Sequence, residues 1–99
     1  MIVVGGRFKV KPERRADMVK LATSLYGPSR AEQGCLHYSC YQDAGDPDSF
    51  VFFEEWESQE VLDKHFQTSY FQDFMKRFPD MITGTPVIKL YNVASVKQL

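Results

Sequence analysis

Along residues 2–10 (IVVGGRFKV) the chain alternates well enough for a β-strand, with Val4, Gly6, Phe8 and Val10 on one face and Val3, Gly5, Arg7 and Lys9 on the other. Paired glycines weaken a strand interior and mark a bulge, or a place where something approaches the backbone closely. The period then changes. Pro12 and Glu13 suit the first turn of a helix, and Met18, Leu21, Ala22 and Leu25 recur at the spacing of a helix packed on a sheet. This helix is expected to end near Gly27-Pro28 or to continue irregularly to Gly34.

A second strand is predicted at 35–42 (CLHYSCYQ), and the turn 43–48 (DAGDPD) leads from it into a third at 50–57 (FVFFEEWE). On the third strand Phe50, Phe52, Glu54 and Trp56 share one face, while Val51, Phe53, Glu55 and Glu57 share the other. Large apolar residues on both faces indicate a sheet covered on two sides. Ser58 is a suitable N-cap for a short helix. Ser69, followed three residues later by Gln72, matches a capping box. It precedes the stripe Phe71, Phe74, Met75 and Phe78, and a last strand is predicted at 86–94.

The order β-α-β-β-α-β, with the second crossover split into two short helices, is the ferredoxin-like split βαβ arrangement. The expected fold class is therefore α+β, a four-stranded antiparallel sheet with helices on one face, in one domain spanning 1–99. The bare face carries apolar residues, and a symmetric homodimer with two sheets face to face would cover it.

Composition sharpens this picture in one respect. Eight Phe, five Tyr and one Trp in 99 residues are more large rings than so small a core hides, so some must line a pocket or an interface. A net charge of −1 with scattered basic residues argues against nucleic acid as a partner. No apolar run approaches the roughly 18 residues of a membrane span, and the N-terminus enters a strand at once. The expectation is no membrane segment, no signal peptide and a cytoplasmic location. Cys35 and Cys40 are read as free, packed thiols, since strict alternation would point them to opposite faces. No dinucleotide fingerprint, P-loop or metal-ligand spacing occurs, so neither a metal nor another cofactor is expected.

The runs QGCLHYSCYQD, DPDSFVFFEEWES and LDKHFQTSYFQDF, together with the Lys-Pro-Glu helix start and the TGTPVIKLY ending, resemble the antibiotic biosynthesis monooxygenase (ABM) family over nearly the whole chain. The resemblance implies a dimeric α+β barrel. Its activities vary: cofactor-free, quinol monooxygenase-like members act on quinols or phenols, others degrade haem, one isomerises a phosphorylated sugar, and many have no assigned activity. The positions matching the haem degraders' Asn, Trp and His hold Gly5 or Gly6, His65 and Met75, which fill none of those roles.

His65 is the leading candidate for chemistry, because relatives often carry a pocket-facing His there and imidazole titrates near working pH. The same residue also suits a locally bonded helix His capping the core. Glu54, on the face of Trp56, is a carboxylate able to orient His65 or to hold a raised pKa. Trp56 offers an indole N–H to a substrate oxygen, or simply anchors the core. Tyr70 stands where many relatives have another His and is suited to bonding an oxyanion. Phe52, Phe71 and Phe74 are expected to wall a pocket floored by Gly6, while Arg7, Arg30 and His37 are within possible reach of a rim. The resemblance implies a monooxygenase that oxidises a quinol or related phenol with O₂. The alternatives are a non-oxidative isomerase of a small metabolite and a non-catalytic, stress-related binding module.

Overall fold

The computed structural model describes residues 1–99. In chain order it contains β1 (Ile2–Val10), a 3-10 turn (Pro12–Arg14), α1 (Arg15–Ser24), α2 (Tyr26–Arg30), β2 (Cys35–Asp43), β3 (Asp46–Trp56), α3 (Gln59–Phe66), α4 (Ser69–Arg77), a 3-10 turn (Phe78–Met81) and β4 (Ile82–Asn92). The strands form an antiparallel sheet in the order β2-β3-β1-β4, the ferredoxin-like arrangement. All the helices lie on one side of it.

Register explains why the core sits where it does. β1 and β3 pair Ile2 with Trp56, Val4 with Glu54, Gly6 with Phe52 and Phe8 with Phe50. These residues face the helices, and each is buried. The stripe of α1 closes over them, with Met18, Leu21, Ala22 and Leu25 all buried. From the other helical segments come Leu62, Phe74, Phe78 and Met81. Several aromatic rings meet edge to face, as Phe8 does with Phe78 at 4.9 Å and Phe52 with Phe74 at 5.5 Å, a geometry that ring quadrupoles favour. On the opposite side Tyr41, Phe53, Val87 and Tyr91 remain exposed in the single chain.

Four expectations need correction. The cysteines share a face: a register shift at Leu36 inserts an extra residue, so Cys35 pairs with Trp56 and Cys40 with Phe52, both on the helix side. They sit opposite residues four apart, about 13 Å along the strand, and both are free. The hairpin turn is also tighter than predicted. Asp43 pairs with Asp46, and Asp43 Oδ1 accepts the Gly45 amide at 2.6 Å, so β3 begins four residues early.

The N-cap of α4 is Thr68, whose hydroxyl accepts the Phe71 amide; Ser69 is already helical, and the Gln72 side chain donates to the Phe66 carbonyl instead. β4 starts at Ile82, because a bulge between Arg7 and Lys9 and Gly84 at φ 68° let the strand pair through the irregular TGTP stretch. The first helix divides at Leu25 and its second piece runs through Gly27-Pro28 to Arg30.

Candidate functional site

Between the sheet and the α3–α4 layer lies an apolar cavity of about 550 Å³. Gly6, Phe8 and Phe52 belong to its sheet wall, Phe66, Phe71, Phe74 and Phe78 to its helical wall, and Ile82, Pro86 and Ile88 of β4 to its mouth. Gly6 keeps the floor low: a methyl group there would sit 3.7 Å from Ile88 and 3.9 Å from Phe52, filling space without a clash. The expected pocket set of Phe52, Phe71, Phe74 and Gly6 thus comes together on one cavity. No Lys, Arg or His lines it, and Glu54 is its one carboxyl group.

Alternation on β3 puts Glu54 and Trp56 on the helix face, and the pairing sets Tyr38 directly across from Glu54. Glu54 is 7% exposed and Trp56 fully buried. The indole Nε1–H donates to Glu54 Oε1 at 3.0 Å, so Trp56 serves the core and holds the carboxyl group rather than presenting its N–H to the cavity. Burial pushes the Glu54 pKa up to about 7; the Trp56 bond opposes this and the charge of Glu32 adds to it. Glu54 is not the partner of His65. Burial, followed by the charge of Glu54, also raises the Tyr38 hydroxyl well above the ordinary phenol range.

His65 is 1% exposed and does not line the cavity. Its ring lies against Trp56 at 4.6 Å, Phe71 at 5.2 Å, Tyr38 at 5.4 Å and Phe66 at 5.9 Å, and the last three of these rings line the cavity. Instead of bonding within its own helix, the imidazole makes a long-range bond from Nδ1 to Glu32 Oε2 at 2.7 Å. Its Nε2 is buried without a partner. Tyr70 donates its hydroxyl to the same Glu32 oxygen, and burial followed by that bond pushes its pKa up to about 12.

Glu32 was not among the sequence candidates. It lies in the loop between α2 and β2, 33 residues from its partner, where no periodicity marks it. The nearest signal is Gly34. At φ 89° it adopts a conformation that suits glycine, and a Cβ there would come within 2.8 Å of Val61. This close approach seats the loop on α3, one turn before His65.

The cationic and polar candidates go elsewhere. Arg30 donates to the Tyr38 carbonyl at 3.0 Å and lies over the Tyr26 ring at 4.1 Å. His37 stacks on Tyr41 on the open face of the sheet. Arg7 lines a second concavity of about 610 Å³ with Lys9, Asp43, Ser49 and Thr85. That depression is lined mainly by polar and charged residues and lacks Glu54, so the apolar cavity is the better candidate site. No helix of the protein is long and apolar enough to cross a membrane.

Comparison with known proteins agrees with the fold. Residues 1–77 match the family model described as antibiotic biosynthesis monooxygenase. The protein sll1783 of Synechocystis is 42% identical over 98 residues, covering 99% of this chain and 67% of that one. "Putative monooxygenase YcnE" of Bacillus subtilis is 34% identical over 85% of this chain and 88% of its own length. The solved structure of Rv0793 from Mycobacterium tuberculosis shares the fold, with a TM-score of 0.91, 24% identity and 98% of each chain covered.

Proposed function

Since the chain belongs to the antibiotic biosynthesis monooxygenase family, we propose that it oxidises an uncharged phenol or quinol with O₂ in the apolar cavity, without a cofactor. The observation that carries this reading is Glu54, a single buried carboxyl group with a pKa near 7 in a wall of aromatic rings. A general base is most effective when its pKa lies near the working pH. With no cation on the walls, a phosphorylated or carboxylated substrate would lack a counter-charge, which disfavours isomerisation of a sugar phosphate.

In the proposed sequence the ionised Glu54 takes the proton of the substrate hydroxyl. The phenolate gives one electron to O₂, and the radical pair recombines to form a carbon–oxygen bond. Glu54 returns its proton to the peroxide. A base then removes hydrogen from the carbon bearing the peroxide, the O–O bond breaks, and the departing hydroxide takes up that proton as water. The sum is phenol plus O₂ giving quinone plus water. The aromatic walls exclude solvent from the radical pair.

The open face, where Tyr41, Phe53, Val87 and Tyr91 are exposed, is proposed as the surface that a second copy covers in a homodimer. The activity is tested by oxygen uptake with a panel of hydroquinones and phenols against buffer autoxidation. Protein-dependent uptake that falls about 100-fold or more in Glu54→Gln is expected. No uptake across the panel would turn the reading towards a non-catalytic binding module.

A further inference from the structure

The proposed sequence uses two proton acceptors, and Glu54 accounts for one. Resting on that reading, we propose that Glu32 is a positioning residue, which holds His65 in the tautomer that leaves Nε2 free to act as the second base, the one that removes the carbon-bound proton before water departs.

The assignment follows from donors and acceptors. Tyr70 brings a hydroxyl and His65 brings Nδ1 to the same Glu32 Oε2. A carboxylate oxygen accepts from both, so Nδ1 carries the hydrogen, and the bond at one ring nitrogen fixes the tautomer at the other. Nε2 is then a bare lone pair, fully buried, with no partner in the protein. A buried acceptor without a donor is costly and calls for an explanation. Three of the rings around His65, those of Tyr38, Phe66 and Phe71, also form the cavity wall. The proposed role requires these rings to move aside so that Nε2 meets the reacting carbon. On taking the proton, the imidazolium is stabilised by Glu32, which is 15% exposed at its side chain and reaches solvent. Trp56, tilted against the imidazole with centroids 4.6 Å apart, restricts the ring's rotation. Glu32 does not line the cavity, and its bond to Nδ1 is what sets the His65 tautomer.

With just two histidines in the chain, nitrogen-15 NMR of the imidazoles reads the assignment directly. In the unmodified protein His65 is expected as a single Nδ1–H tautomer, with a slowly exchanging, strongly downfield Nδ1 proton. In Glu32→Ala that proton should be lost and the tautomers mix. In Tyr70→Phe it should persist and move further downfield, since the carboxylate loses its competing donor. With substrate, Glu32→Ala should lower kcat about tenfold or more and leave KM within about twofold. An Nε2–H tautomer in the unmodified protein overturns the proposal even if Glu32→Ala fails to fold, and so does a downfield proton unchanged in Glu32→Ala. Oxygen uptake is scored separately. A protein inert to every phenol, with the Nδ1–H tautomer intact, removes the oxygenase reading and the base's role with it. A wrong tautomer in an active enzyme removes the Glu32 assignment alone.

Discussion

Glu54 and Glu55 are neighbours on β3 and point to opposite sides of one sheet. Glu54 meets Val4 and Tyr38 across the strands, is buried, and bonds an indole. Glu55 pairs with Val3 and His37 on the open face and keeps contact with water. The two faces differ in the same way throughout. The helix side is apolar and shielded around its cavity, with His65 Nε2 left without a partner, while the other side mixes exposed rings with charges. A carboxylate becomes chemically unusual when the fold removes water from it and supplies only one donor in return.

The sharpest way to break this contrast is to empty the closed face. Trp56→Ala should cost about 3–5 kcal/mol of stability in urea denaturation, and the remaining protein should show Glu54 without its donor. Next in size is a pH effect. Glu54 has a pKa of about 7 in the fold against an ordinary 4.5. Between those values the folded chain keeps a proton that the unfolded chain has released. The stability present below pH 4.5 therefore falls as the pH rises through the window, by about 3 kcal/mol in all. Denaturation curves from pH 4 to 8 should show this slope, and Glu54→Gln should flatten it.

Gly34→Ala tests the loop that delivers Glu32. Its positive φ and the nearness of Val61 predict a loss of about 2 kcal/mol, with the His65 bond disturbed in the same NMR spectra. The smallest thermodynamic effect is expected on the open face. Phe53→Ser should change the stability of one chain by less than about 1 kcal/mol, yet shift the proposed dimer towards monomer in sedimentation. A large loss in the single chain would show that the two faces are less different than they look.

Much of this contrast was legible in the chain. Period-two alternation on β1 and β3 identified the buried face, because a strand with one face under helices cannot slip by one residue without turning its core outward. The stripes Met18–Leu25 and Phe71–Phe78 identified the helical walls for the corresponding reason. The irregular places were less legible. Leu36 adds one residue to β2 without any composition cue. Thr68 and Ser69 are both good caps, and only the backbone decides between them. The site shows the same division. Phe52, Phe71, Phe74, Gly6 and Glu54 follow from periodicity and resemblance, whereas the bond between Glu32 and His65 joins a loop to a helix and follows from tertiary placement alone.

The bulge at Leu36 also bears on the chemical durability of the molecule. It turns Cys35 to the helix side, where Cys40 already lies, and burial pushes the Cys35 pKa up to about 11 and that of Cys40 up to about 12. The nucleophilic thiolate form is then at most on the order of one part in ten thousand at neutral pH. Peroxide attacks that form, so sulfenic acid formation and adventitious cross-linking between molecules are both slowed. A single inserted residue in an edge strand thus brings Cys35 to the side where Cys40 already lies, and both thiols are expected to react slowly with peroxide.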